Sequence, residues 1–188
     1  IIMAVMVIDH AREYADMTYK LSDPVDLSQT PALVFAMRWI THFCAPVFTF
    51  LMGLSASFSA SRRTPAAFSR HVALRGLVLI ALELTVCNWA WTFNPFWHRM
   101  FFQVIGALGT AMLALALVSR LSRAWIWSLG LAIVALHNTL DGISFPPDST
   151  AHYVWSFLHQ KNVLPLWGAY ETRTTYPVLP VVGIAICG

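Results

Sequence analysis

The chain has 188 residues, 57% of them hydrophobic and 11% charged, with a formal net charge of +3 and a mean hydropathy of +0.62. Soluble domains carry about 25% charged residues, so the composition excludes an ordinary soluble domain and points to a membrane protein. The positive balance rests on ten arginines and two lysines with no basic run interleaved with aromatics, a pattern that speaks for membrane topology and against nucleic-acid binding.

Six apolar segments follow one another. The first runs to Ile8, where Asp9-His10 ends it and a charged stretch begins. A spanning helix needs about 20 apolar residues, and the last segment also stops within an apolar run, so the chain is expected to be a fragment of a larger multi-pass protein. Residues 9–33 form a polar stretch with turns at Asp23-Pro24 and Thr30-Pro31. The second segment covers residues 34–60, and Pro46 should bend it. An arginine-dense link, 61–75, leads to the third segment, 76–93, which carries Glu83 and Asn88. After a short link at 94–99 comes the fourth, 100–118, and after 119–123 the fifth, 124–140. Residues 143–175 read as a long loop, and the sixth segment starts near Tyr176-Pro177. The fold class predicted is all-α: a polytopic membrane helix bundle of six spans, the first and last truncated, forming one transmembrane domain over 1–188. Cys44, Cys87 and Cys187 lie in apolar segments at unrelated spacings, so neither a disulfide framework nor a metal site is expected.

Charge sets the orientation. The 61–75 and 119–123 links hold Arg62, Arg63, Arg70, Arg75, Arg120 and Arg123 and no acidic residue, which places them on the cytoplasmic side. Alternation puts 9–33, 94–99 and 143–175 outside, and Trp39, Trp89, Trp91 and Trp97 fall near outer ends, as interface anchors should.

Polar residues then line up at one depth, just inside the outer surface. Asp9 and His10 close the first segment; Arg38 and His42, four apart, share a face of the second. Asn88, Gln103, His137, Asn138 and Asp141 stand near outer ends of the third, fourth and fifth. Burying polar groups in lipid costs free energy unless they find partners, so a hydrated cavity is expected where they meet. Glu83 sits deeper, suited either to line a passage or to lock two helices. Arg75 and its neighbours read as topology signals that would also attract a phosphorylated cofactor.

Several blocks carry a resemblance: Met6-Val7-Ile8-Asp9-His10-Ala11-Arg12, the run Arg38-Trp39-Ile40-Thr41-His42-Phe43-Cys44-Ala45-Pro46-Val47-Phe48, and Leu51-Met52-Gly53-Leu54-Ser55-Ala56. Arg75-Gly76, Leu82-Glu83-Leu84-Thr85-Val86, His137-Asn138-Thr139-Leu140-Asp141-Gly142-Ile143 and Tyr176-Pro177-Val178-Leu179-Pro180 continue it in order. The chain resembles bacterial members of the heparan-α-glucosaminide N-acetyltransferase-like family. That resemblance implies a multi-pass acyltransferase of a bacterial inner membrane. It takes an acetyl or other acyl group from acetyl-CoA on the cytoplasmic side and delivers it to a sugar amine or hydroxyl on the outer side. By resemblance His10 fits the essential histidine, with Asp9 beside it and His42 as second candidate. Arg12, Arg38, Asn88, Gln103, His137, Asn138 and Asp141 are candidate acceptor contacts, and Glu83 and Arg75 candidate donor contacts. Acyl transfer needs a base and a hydrogen-bond donor for the developing oxyanion; Asn88, Arg38 or His42 would supply the latter, with an acyl-histidine or direct transfer both open. Expected partners are a lipid bilayer, a sugar or glycan acceptor and a second copy of the chain in a homodimer, with no nucleic acid. The alternative from another class is a proton-coupled transporter using Glu83 and the histidines as a relay.

Overall fold

A computed structural model describes residues 2–15 and 30–188, which fall into two compact units, Ile1–Phe48 and Thr49–Gly188. In the first unit α1 (Ile2–Ala15) contacts α2 (Ala32–Thr41). α1 does not stop at Asp9 as expected. The following Ala11-Arg12-Glu13-Tyr14-Ala15 contains good helix formers and no glycine or proline, so the helix continues through the charged residues. α2 ends in a turn at His42-Phe43 before α3 (Cys44–Ala60) begins. The break expected at Pro46 falls four residues upstream, because proline has no N–H for the carbonyl of His42 and its ring crowds that carbonyl.

The second unit is mostly helical. α4 (Pro65–Leu82) starts well before the expected boundary: Thr64 accepts from the Ala67 N–H at 3.4 Å and Pro65 occupies the first helical position. Arg70, His71 and Arg75 therefore lie on a helix rather than in a link. A π-helical turn, Glu83–Cys87, joins α4 to α5 (Asn88–Thr92). Next come β1 (Arg99–Phe102), α6 (Val104–Val118) and α7 (Arg123–Leu136), which closes in a 3-10 turn, His137–Leu140. The expected long loop instead holds α8 (Thr150–Leu158), β2 (Val163–Pro165) and β3 (Glu171–Thr174), and α9 (Val178–Cys187) completes the chain. The strands form a small sheet in the order β1-β3-β2, with β1 parallel and β2 antiparallel to β3. Leu164 of β2 pairs with Thr172 of β3, and both are buried. The expectation of an all-α fold is thus corrected to a mostly helical one carrying this sheet.

α6 is the centre of the unit, packed between α4 and α9, with α7 behind α9. α4 and α6 approach at two glycines. A Cβ on Gly76 would lie 2.6 Å from the Gly109 carbonyl oxygen, and one on Gly109 would lie 2.7 Å from that of Gly76. Small residues allow this backbone contact. Ala56, Phe68, Val72, Met112 and Ala116 fill the space between α3, α4 and α6, and Ser69 donates to the Ala116 carbonyl at 3.0 Å. Outward faces are apolar: Leu74, Leu77, Val78, Leu84 and Val86 are exposed while Glu83 and Asn88 are buried. Among the described residues two helices, Ala32–Ala60 and Pro65–Thr92, are long and apolar enough to cross a membrane; the apolar Val104–Val118 and Val178–Cys187 are shorter. Helix length therefore carries two spans, and the expected count of six goes beyond it.

Candidate functional site

The deepest polar group is a knot around the π-helical turn. Glu83, 1% exposed, reaches across to the start of α6, where Oε1 accepts from the Gln103 N–H at 3.1 Å and Oε2 from the Gly106 N–H at 3.0 Å. The first N–H groups of a helix have no partner within it and carry the positive end of its dipole. A carboxylate from a neighbouring helix therefore caps α6. Gly106 is needed there, since a Cβ would sit 2.7 Å from the Phe102 ring and 3.1 Å from Glu83 Cγ. Of the two roles open to Glu83 from sequence, the geometry displays the locking one.

Asn88 completes the knot and is fully buried. Its side-chain amide donates to the carbonyls of Glu83 at 2.6 Å and Phe101 at 2.9 Å, and its Oδ1 accepts from the Phe101 N–H at 2.5 Å. The wider π turn also lets the backbone N–H of Asn88 donate to the Glu83 carbonyl. Gln103 enters through its backbone N–H, not its side chain. Sequence singled out Glu83 as a candidate donor contact and Asn88 and Gln103 as candidate acceptor contacts; the structure joins the three to one another through the backbone of α6 and β1.

A second group lies where α7 ends. His137 Nδ1 is 2.9 Å from the Val134 carbonyl. A carbonyl only accepts, so Nδ1 carries a proton, and in the neutral ring Nε2 is then the lone pair. Asp141 Oδ1 is 2.8 Å from His159 Nε2, an exposed carboxylate held by a buried ring. The rings of His137 and His159 are 6.3 Å apart, and that of Trp155 is 5.0 Å from His159. Asn138 is exposed on the same turn, and its carbonyl accepts from the Asp141 N–H at 3.2 Å. His159 was legible only as a loop residue; its pairing spans α8, and no spacing rule reveals it.

A third feature is a cavity of about 230 Å³ among α3, α4 and α6, lined by Ser55, Ser59, His71 and Arg75 on its polar side and by Met52 and Met112 on its apolar side. Arg63 donates to Ser59 Oγ, bringing a second guanidinium to the rim. No acidic residue occurs between Asp26 and Glu83, so the cavity's positive charge is uncompensated within α3 and α4. Arg75 was expected to meet a donor; the sequence reading missed Ser55, Ser59 and His71. Their signal was present as two pairs spaced by four, Ser55 with Ser59 and His71 with Arg75.

In the first unit, His42 is exposed and its Nδ1 lies 3.1 Å from the Arg38 carbonyl. As in His137, that fixes the proton on Nδ1 and presents Nε2 as a base. His10 is half-buried in α1, and Arg38 lies in the last turn of α2. The side chains of Asp9 and Arg12 lie outside the described residues. Among the described residues no group of three or more His, Cys, Asp or Glu is placed to hold a metal ion.

A family model described as heparan-alpha-glucosaminide N-acetyltransferase, catalytic, matches residues 1–188. The match covers the whole chain, and the chain belongs to that family. Comparison with curated proteins and with solved structures gives no match. Membership makes the protein an acetyltransferase-type enzyme; members of the family are membrane proteins and use acetyl-CoA as donor in general, and the two long apolar helices suit a membrane location.

Proposed function

We propose that this protein is a multi-pass enzyme of the inner (cytoplasmic) membrane that transfers an acetyl or acyl group from cytoplasmic acyl-CoA to a sugar amine or hydroxyl on the outer side. The family match over residues 1–188 carries this reading, and it favours acyl transfer over transport. His10, with Asp9 beside it in sequence, is the base that takes the proton from the attacking N–H or O–H. The acceptor's lone pair then forms a bond to the thioester carbonyl carbon, the carbon–sulfur bond breaks, and the thiolate leaves with a proton. His42, its Nε2 facing out as a lone pair, is the second candidate. Of the three oxyanion donors open from sequence, the guanidinium of Arg38 with its several N–H groups suits this reading best, because both amide hydrogens of Asn88 are already engaged and the Nδ1–H of His42 is turned to the Arg38 carbonyl.

The donor's phosphates suit the cavity at Ser55, Ser59, His71 and Arg75, where guanidinium and hydroxyl groups meet without a carboxylate. A bilayer and a sugar or glycan are the partners of this reading, and a homodimer is its assembly. The test uses the full-length protein in lipid nanodiscs with acetyl-CoA and a panel of amino sugars and glycans, following free thiol. Acceptor-dependent release that His10→Ala abolishes is expected. Release surviving in His10→Ala moves the base to His42, and no release with any acceptor overturns acyl transfer.

A further inference from the structure

One end of the second unit is positively charged and apolar at once. The Ala116 carbonyl, near the end of α6, accepts from the Ser69 hydroxyl of α4 at 3.0 Å and from the Ser119 hydroxyl at 2.8 Å. These two bonds set the first turns of α4 level with the turn between α6 and α7. Arg70 follows Ser69 on α4, Arg120 stands in the turn and Arg123 opens α7, all three exposed. A guanidinium keeps its charge throughout the working pH range. None of the three guanidinium groups has an ion-pair or hydrogen-bond partner among the described residues. No carboxylate occurs between Asp26 and Glu83 or between Glu83 and Asp141, so no nearby stretch of chain supplies one.

The same turn exposes large apolar side chains. Leu117 is 81% exposed, Trp125 70%, Trp127 58% and Leu121 49%, a concentration that water does not favour. The indole N–H groups of Trp125 and Trp127 are also without a partner among the described residues. Topology signalling accounts for the arginines during membrane insertion, but not for the side chains that flank them. A free phosphate would meet the guanidinium groups and leave the leucines and tryptophans wet. A neutral lipid would cover the apolar side chains and leave two charges without an anion. An anionic phospholipid does both. Its phosphate oxygens accept from arginine in charge-assisted bonds, indole rings settle at headgroup level with their N–H turned to polar groups, and its acyl chains cover the leucines.

We propose that the α6–α7 turn is a binding surface for anionic phospholipid, with Arg120 and Arg123 on the headgroup phosphate and Trp125 and Trp127 at the boundary between headgroup and acyl chain. Arg70 adds its charge from α4. This rests on the membrane location of the acyl-transfer reading and on no step of its chemistry.

The experiment places the full-length protein in phosphatidylcholine nanodiscs and adds increasing fractions of phosphatidylglycerol or phosphatidylcholine carrying brominated acyl chains, which quench nearby tryptophans. The Trp125 contribution is the difference between wild type and Trp125→Phe. Half-maximal quenching is expected at an about tenfold lower fraction of the brominated anionic lipid at low salt, with the preference shrinking as salt rises. Arg120→Gln combined with Arg123→Gln should make the two lipids equal, and Arg120→Lys with Arg123→Lys should restore part of the preference. Both side chains are exposed, so these variants should keep the wild-type unfolding midpoint. Equal quenching by the two lipids in the wild type overturns the proposal, as does a preference that survives the double glutamine substitution. Loss of the preference on adding acetyl-CoA would assign the arginines to the donor and overturn it too. Quenching by neither lipid removes the membrane location, and this surface with it. Thiol release is followed separately, so a failure of acyl transfer leaves an observed lipid preference standing.

Discussion

Replacing Glu83 separates its locking role from a donor-binding one. Two backbone N–H groups at the start of α6 depend on its carboxylate, at 3.1 and 3.0 Å. Each buried donor left unmet costs about 1–3 kcal/mol, and removal of the side chain adds a cavity term. Glu83→Ala should therefore destabilise by roughly 3–6 kcal/mol, a fall in Tm on the order of 10 °C for a chain of this size. Glu83→Gln keeps one acceptor oxygen but turns an NH2 group towards an N–H donor, and should lose roughly half as much. The assay is thermal unfolding in nanodiscs followed by tryptophan fluorescence, with the donor KM measured below the transition. An unchanged Tm in Glu83→Ala, accompanied by a raised KM for acyl-CoA, would refute the capping argument and return Glu83 to the donor site.

Asn88→Asp puts a carboxylate oxygen against the carbonyls of Glu83 and Phe101, which the amide now meets at 2.6 and 2.9 Å; it should lower Tm more than Asn88→Ala in the same unfolding assay. Gly109→Ala places a Cβ about 2.7 Å from the Gly76 carbonyl oxygen and 2.8 Å from Ile80 Cγ1. It should cost roughly 1–3 kcal/mol by forcing α4 and α6 apart, read as a lower midpoint on chemical denaturation. Arg75→Ala should raise the KM for acetyl-CoA about tenfold with kcat little changed, while S-acetylpantetheine, which lacks the nucleotide phosphates, is used as before. Equal effects on both donors would remove Arg75 from phosphate recognition.

The long apolar runs made the helices legible. α6, α7 and α9 begin within a few residues of the expected boundaries, because a lipid-facing or core helix must be apolar along its length. α4 was misjudged at its start although Thr64-Pro65 carries an N-cap and a first-turn proline; the arginines beyond it outweighed that signal. The sheet was not legible. Its strands are three or four residues long, too short for a period of two to stand out. Glu83 and Asn88 were legible as special, since polar groups in apolar runs must find partners. Their partners were not, because these are backbone groups of α6 and β1, and every residue offers the same backbone groups.

This difference redistributes the polar layer. Glu83, Asn88 and the Gln103 backbone are engaged in holding α4, α6 and β1 together, so little hydrogen-bonding capacity remains there for a substrate. The histidines at helix ends are arranged otherwise. His42 and His137 each tie Nδ1 to a carbonyl of the preceding turn, which in the neutral ring leaves Nε2 as a lone pair; the Arg38 carbonyl that His42 meets also accepts from the His42 backbone N–H and the Thr41 hydroxyl. One backbone contact thus selects the tautomer that can take a proton. Substitution by asparagine would keep a donor for the carbonyl and remove the base. His42→Asn should therefore retain thermal stability, whatever it does to turnover, and a large loss of Tm in that variant would show that the ring is needed for packing rather than for chemistry.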